Sequence, residues 1–195
     1  MTFIKDGVDE TLEIKKSKFI TYLMPYCDFH TSMKDLKIKY PKARHFVYSY
    51  RFLNEFDQIV ENSSDDGEPK GTSGRPTLNV LSGAKMINTA VIVVRYFGGI
   101  RLGTGGLVKA YSDAVNLVLT KATIYTYEKL ENRTLEIPYN SLGKIEYLLE
   151  QQKIKINNKD FDTNITLNIA TTNENFAILD NKLPIGISTK NVETK

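Results

Sequence analysis

The sequence of 195 residues contains no tryptophan and a single cysteine, Cys27. One cysteine cannot form a disulfide within the chain, which fits a reducing compartment. No apolar run approaches the roughly 20 residues that a membrane-spanning helix needs. Acidic residues at Asp6, Asp9 and Glu10 interrupt any hydrophobic segment of the kind found in secretory signals. We therefore expect a cytoplasmic protein that makes no contact with a membrane.

Positive charge is concentrated in one region, although the net charge of the whole chain is only +3. Between Pro69 and Lys121 there are seven basic residues and one acidic residue, Asp113. From Asn132 onward basic and acidic residues are equal in number, at eight each. This imbalance favours an anionic partner for the central region, although a solvated surface would also account for it.

The first two thirds of the chain alternate between strand and helix patterns. Pro76 to Leu81 is ambiguous, because Leu78 and Val80 alternate as in a strand, but Pro76 near the start and Gly83 after the end favour a helix. The other predicted elements are a strand over 11–24 with a basic kink at 15–18, a helix from Asp28 to Pro41, a hairpin of 45–52 with 56–60, a fully buried strand over 90–97, and a helix from Thr104 to about Ala122.

The last third has a different pattern, which begins after a boundary near Glu128 to Glu131. The predicted order is strand 133–138, helix 145–149, strand 153–156, a turn at 157–162, strand 165–169, helix 176–183 and strand 185–192. This βαββαβ order is that of the ferredoxin-like fold. We therefore predict an α+β protein with two domains, 1–130 and 131–195.

A glycine-rich turn, Gly98 to Gly106, lies between the buried strand and the long helix. It is not a Walker A loop, since Thr104 stands in place of the lysine, and Val108 replaces the third glycine of a dinucleotide fingerprint. Free N–H groups at a helix start attract anions, so either an anion site or a tight structural corner is expected. The predicted contacts with phosphate are Arg95, Gly98, Gly99, Arg101, Gly103, Thr104, Gly105, Gly106 and Lys109, with Lys70 and Arg75 nearby.

The acidic cluster Asp65, Asp66 and Glu68 could hold Mg²⁺, but it lacks the spacing of a known calcium loop. A turn is the favoured interpretation, with Asp65 or Asp66 as a cap, Gly67 at positive φ and Glu68 facing an arginine. His45 and Cys27 could be neighbours in space, although structural roles are commoner than catalysis for such residues.

Aromatic residues alternate with arginine in the predicted strands, as in surfaces that bind single-stranded RNA. Tyr48 and Tyr96 are the candidates for stacking on bases. Most aromatic residues in strands belong to the core, so only those that face outward are available for such contacts.

Three motifs together resemble the YigZ/IMPACT family. Ser64 to Pro76 reads S-D-D-G-E-P-K-G-T-S-G-R-P, Arg95 to Tyr111 reads R-Y-F-G-G-I-R-L-G-T-G-G-L-V-K-A-Y, and Ala43 to Arg51 fits A-x-H-x-x-x-x-Y-R. Val47 stands where family members often have a cysteine, which argues against a cysteine-based mechanism. The resemblance implies a first domain like the second domain of ribosomal protein S5 and a ferredoxin-like second domain, similar in arrangement to domains IV and V of elongation factor G.

The resemblance also implies a function, because eukaryotic members of the family are linked to translational control. We expect a non-enzymatic protein that binds RNA, the ribosome or a translation factor and needs no cofactor. S5-like folds also include small-molecule kinases, so a Mg²⁺-dependent enzyme acting on a phosphorylated or nucleotide substrate is an alternative. A protein-interaction module is a third possibility.

Overall fold

The structure, a computed structural model, describes residues 1–184 and 186–191. The chain forms two compact units, Met1–Tyr127 and Glu128–Lys195, so the division lies just before the boundary predicted after residue 130. In the part that the structure describes, no helix combines the length and the apolar character that a membrane crossing requires.

The first unit contains a five-stranded antiparallel sheet in the spatial order β2-β3-β6-β4-β5. Its central strand, β6, is buried on both faces, as predicted from its unbroken run of β-branched residues. The strands of this unit are β1 (Thr2–Phe3), β2 (Val8–Ile14), β3 (Ser17–Pro25), β4 (His45–Leu53), β5 (Ile59–Ser64), β6 (Thr89–Tyr96) and β7 (Tyr125–Thr126).

Helices cover both faces of this sheet. Helix α1 (Phe29–Lys39) packs on one face, against Ile92 and Val94 of β6. Helices α2 (Gly74–Gly83) and α3 (Gly103–Leu119) share the other face, where Tyr111 is among the largest buried side chains. The helical interpretation of the ambiguous segment at Pro76 is therefore confirmed, with the proline in the first turn, where its missing N–H leaves no helical hydrogen bond unmade.

The segment 11–24, predicted as one strand with a basic kink at 15–18, is two strands: the chain turns back at the kink, and β2 and β3 form an antiparallel hairpin. Its two-residue turn consists of Lys15 and Lys16, with φ of +47° and +65°. Such turns usually contain asparagine or glycine, so the sequence predicts a kink at these lysines but not a tight hairpin turn.

Two short strands bring the ends of the first unit together. Strand β1 pairs with β7, so that Phe3 lies opposite Tyr125. The N–H of Tyr127 also donates to the carbonyl of Met1 at 2.9 Å. The first residues of the chain are thus held beside the last residues of this unit.

The second unit has the ferredoxin-like arrangement, and the expected α+β class is confirmed. Its elements are β8 (Glu131–Ile137), α4 (Leu142–Gln151), β9 (Lys155–Phe161), β10 (Ile165–Thr171), α5 (Asn173–Asp180) and β11 (Ser188–Asn191). The sheet order is β11-β8-β10-β9, with every neighbouring pair antiparallel. The turn predicted at 157–162 is wrong, since β9 continues to Phe161. Ile185 and Val192, the predicted limits of the last strand, lie outside the described residues.

Candidate functional site

The sequence motifs of the first unit meet at one end of its sheet. Helix α2 follows β5 and helix α3 follows β6, so both helices begin at this end. We call it the motif end, and it is defined by three pairs of facing residues: Lys18 with Tyr96, His45 with Arg95, and Ser64 with Tyr48.

Asp65 fixes the loop that leads into α2. Its carboxylate accepts hydrogen bonds from the N–H groups of Gly71 (2.7 Å), Ser73 (3.1 Å) and Gly74 (2.8 Å), and from the hydroxyl of Ser73 (2.7 Å). Burial by itself would raise the pKa of the Asp65 carboxyl, but these hydrogen bonds together hold the pKa below its ordinary value. Asp65 therefore caps α2 from a position well upstream.

Glu68 ties the same loop to the interior. Its Oε1 accepts from Nη1 of Arg95 at 2.5 Å and from the hydroxyl of Tyr111 at 2.9 Å. The side chains of Glu68 and Arg95 are only 4% and 6% exposed, so this is a buried ion pair. Burial, followed by the charge of Glu68, raises the pKa of the Tyr111 hydroxyl well above its ordinary range. Tyr111 is therefore a neutral donor to this pair.

Asp66 and His45 make the third contact of the loop. The Asp66 carboxylate accepts from the N–H of Phe46 at 2.6 Å, and its carbonyl lies 2.8 Å from His45 Nδ1. A carbonyl can only accept, so His45 carries a proton on Nδ1. Gly67 has φ of +84°. The predicted turn is confirmed in each respect: Asp65 is a cap, Gly67 has positive φ and Glu68 faces an arginine.

The three carboxylates of this loop are directed to different partners, so they do not form a common ligand set. Among the described residues, no three His, Cys, Asp or Glu side chains converge as a metal site would require. The hypothesis of a Mg²⁺ site at Asp65, Asp66 and Glu68 therefore receives no support from the geometry.

Cys27 and His45 are not neighbours in space, so the less favoured interpretation of these two residues is excluded. Cys27 follows Pro25, which faces Thr89 at the start of β6, whereas His45 faces Arg95 near the end of that strand. Six residues of strand at about 3.3 Å each separate the two by about 20 Å. The two side chains therefore cannot form a catalytic pair.

Four of the glycines in the glycine-rich turn are explained by the fold. A Cβ on Gly98 would lie 2.0 Å from the backbone of Lys16, and one on Gly106 would lie 3.1 Å from Leu102. Gly99 and Gly103 have φ of +85° and +74°. These positions support the structural interpretation of the turn as a tight corner.

Gly105 is different, because nothing in the fold requires a glycine there. It lies in the first turn of α3, its φ is not positive, and an added Cβ would meet nothing within 4 Å. Gly103, Thr104 and Gly105 are exposed, and the N-cap residue, Leu102, makes no side-chain cap hydrogen bond. The first N–H groups of α3 therefore face open space.

The predicted basic residues are placed differently from one another. Arg95, predicted as a surface contact, is instead buried against Glu68. Arg101 is exposed, and no ion pair with it occurs in the described residues. Lys109 is exposed and bonds to Asp113 at 3.0 Å. Lys70 and Arg75 are exposed in the Asp65 loop and the first turn of α2.

The candidate stacking residues lie within an aromatic cluster beside α1. Tyr48 is half-buried against Phe29, with ring centroids 5.2 Å apart, and it stacks on Tyr50 at 6.1 Å. Tyr96 is also half-buried, with its ring centroid 6.4 Å from that of Tyr40. Each ring therefore has one part in the core and one part open to solvent.

A cavity of about 310 Å³ at the motif end was missed by sequence reasoning. Two segments that are far apart in the chain form it, and their pairing is decided by the strand register. The A-x-H motif at residues 43–45 was the available signal. The cavity is lined by Lys42, Arg44, His45, Arg95, Tyr96 and Phe97.

Comparisons with known proteins match both units. Residues 15–119 match the Impact N-terminal domain, and residues 135–183 match a domain of unknown function, DUF1949. The IMPACT family member YigZ of Escherichia coli is 40% identical over 81% of this chain and 79% of its own length. YvyE of Bacillus subtilis, also an IMPACT family member, is 31% identical over 83% of this chain and 75% of its own length.

One solved structure is similar over the whole chain. It is the crystal structure of a hypothetical protein, with 34% identity and a TM-score of 0.67, and the match covers 100% of this chain and 98% of the other. "Protein IMPACT" of Xenopus laevis is 25% identical over 69% of this chain but only 45% of its own length. Both units of this chain therefore have counterparts in that hypothetical protein.

Proposed function

Because the chain belongs to the IMPACT family, we propose that it acts in translational regulation by binding RNA of the translation machinery through the motif end of its first unit. Family membership supports the link to translation, since the resemblance connects eukaryotic members with translational control. The choice of RNA as the partner rests on the chemistry of the motif end.

The coincidence of Gly105 with the exposed Arg101 at the start of α3 is the observation that carries the proposal. Glycine in a helix costs about 0.5–1 kcal/mol relative to alanine, and neither φ nor packing at this position repays that cost. A glycine without a structural reason allows another molecule to approach the backbone closely. The uncapped N–H groups of α3 and the exposed Arg101 would then bind a phosphate of that molecule.

The charges around this helix start also favour a polyanion. The loop carboxylates Asp65, Asp66 and Glu68 accept hydrogen bonds from groups of the protein itself. One exposed acidic residue, Glu13, lies opposite Lys18 in the β2–β3 hairpin. Eight exposed basic residues lie at or next to the motif end: Lys15, Lys16, Lys18, Lys42, Arg44, Lys70, Arg75 and Arg101. A surface of this kind tracks a phosphate backbone and releases counterions on binding.

The proposal is tested by measuring the affinity for single-stranded RNA and for ribosomes at several salt concentrations. We expect the affinity to fall steeply with salt, and Arg101→Glu to weaken binding and flatten the salt dependence. Gly105→Leu should abolish close approach without unfolding the protein, because the site is open.

Gly143 provides a matched control for this experiment. It is also an exposed glycine near the start of a helix, α4, and an added Cβ there would likewise meet nothing within 4 Å. Gly143→Leu should leave binding unchanged. Equal effects of the two substitutions, or an affinity that does not respond to salt, would contradict the proposal.

A further inference from the structure

The cavity at the motif end is distinct from the start of α3. It lies beside the first residues of β4 and the last residues of β6, and its volume is about 310 Å³. Pockets for small ligands begin at roughly 300 Å³. The cavity therefore has room for one small molecule or for a single residue of a polymer.

Its walls carry positive charge. Lys42 and Arg44 are exposed, and no carboxylate lines the cavity. Arg95, also in the wall, is 5% exposed, and its charge is paired with Glu68 behind the cavity wall. These features favour an oxyanion as the ligand.

His45 is held in one orientation at this cavity. Because its Nδ1 donates to the carbonyl of Asp66, Nε2 is the ring nitrogen that remains for a ligand. The Asp66 carboxylate is occupied by the N–H of Phe46. Arg44 adds a guanidinium, whose planar donors match the oxygens of a phosphate.

Tyr96 and Phe97 add an aromatic wall. Phe97 is 56% exposed, which is unusual for a phenylalanine and leaves part of its ring available for stacking. A phosphate alone would fill only a small part of the cavity, whereas the aromatic wall suits a planar base. We propose that this cavity binds a nucleoside 5′-monophosphate group, with the phosphate near Lys42 and Arg44 and the base against Phe97.

Such a group could come from a free mononucleotide or from the phosphorylated 5′ end of an RNA. The chemistry that the cavity recognises is the same in both cases. The RNA source rests on the proposed function, whereas the mononucleotide source does not. Arg44 also belongs to the basic surface of the proposed function, so the cavity test compares each ligand with and without its 5′-phosphate, a difference that general binding to this surface does not produce.

The experiment measures binding of the four ribonucleoside 5′-monophosphates, with the corresponding nucleosides as controls, by calorimetry on the full chain. A short single-stranded RNA is compared with and without its 5′-phosphate. The variants are Arg44→Ala and Phe97→Ala, both at exposed positions. Their matched controls are Lys34→Ala and Phe56→Ala, which remove an exposed charge and an exposed ring outside the cavity.

We expect at least one monophosphate to bind about tenfold or more tightly than its nucleoside, since charge-assisted hydrogen bonds to the phosphate are lost in the latter. Arg44→Ala should remove most of this difference and Lys34→Ala none of it. Phe97→Ala should weaken the monophosphate and Phe56→Ala should not. A preference for the 5′-phosphorylated RNA that Arg44→Ala removes identifies an RNA end as the source, and its absence identifies a free nucleotide.

Two results would overturn the inference. One is that no monophosphate binds better than its nucleoside and the RNA shows no preference for a 5′-phosphate. The other is that Arg44→Ala and Lys34→Ala reduce binding equally, as a diffuse surface charge would predict. If the RNA still bound in a salt-dependent way that Arg101→Glu weakens, the proposed function would stand while the cavity assignment fell.

Discussion

Replacing Glu68 by glutamine should destabilise the first unit strongly, because it leaves Arg95 as an uncompensated charge. The two side chains are 4% and 6% exposed and form a direct hydrogen bond of 2.5 Å. Removing one partner of such a buried pair typically costs about 3–5 kcal/mol. We expect Glu68→Gln to lower the free energy of unfolding by an amount in this range.

The chain contains a matched control for the same chemical change. Lys109 and Asp113 form an ion pair at 3.0 Å, but their side chains are 78% and 41% exposed. Exposed pairs contribute about 0–1 kcal/mol. Asp113→Asn, like Glu68→Gln, replaces a carboxylate by an amide, but it should cost less than about 1 kcal/mol.

The measurement is urea unfolding of the full chain by circular dichroism, with amide hydrogen exchange of α3 to report on the first unit alone. Tyr111→Phe removes one hydrogen bond to a charged group and should cost about 1.5–3 kcal/mol. The double variant Glu68→Leu with Arg95→Met should recover much of the loss, since no unpaired charge remains. The reasoning is refuted if Glu68→Gln costs no more than Asp113→Asn.

Two further predictions concern the loops at the motif end. Asp65→Asn should cost about 2 kcal/mol at neutral pH because it removes the cap of α2. Since the folded pKa of Asp65 lies below the ordinary 3.8, the stabilisation by its carboxylate is present above pH 3.8 and is lost as the pH falls through the folded pKa. The unfolding curves of variant and parent should therefore converge in strong acid, and a constant gap between them would contradict this. Gly98→Ala should lower the free energy of unfolding by about 3 kcal/mol, because the added Cβ pushes the backbone of Lys16 away. Gly105→Ala should raise the free energy of unfolding by about 0.5–1 kcal/mol. Thermal melts that show the reverse order would contradict the assignment of Gly98 as structural and Gly105 as non-structural.

Local sequence rules were sufficient for much of the first unit. The β-branched run predicts β6, proline and glycine positions predict α2, and the loop chemistry predicts Asp65 as a cap and Gly67 at positive φ. These predictions succeed because each depends on residues that are near each other in the chain.

The rest depends on strand register, which the sequence does not display. The partner of Glu68 is Arg95 because β6 ends beside the Asp65 loop. Arg95 therefore lies inside the unit, whereas the sequence predicts it on the surface. The cavity beside His45 arises in the same way. The kink predicted at 15–18 is a tight hairpin turn for another reason that the sequence does not display, since lysine rarely adopts positive φ.

The pairing of β1 with β7 has a practical consequence for the topology of the first unit. Because Met1 is hydrogen-bonded to Tyr127, a linker of a few residues should be able to join these two ends covalently. New termini could then be opened at an exposed loop tip elsewhere, such as the segment 54–58 between β4 and β5. A circular permutant of this unit is thus geometrically accessible. A label or tether could then be attached at the new termini instead of at the point where the second unit begins.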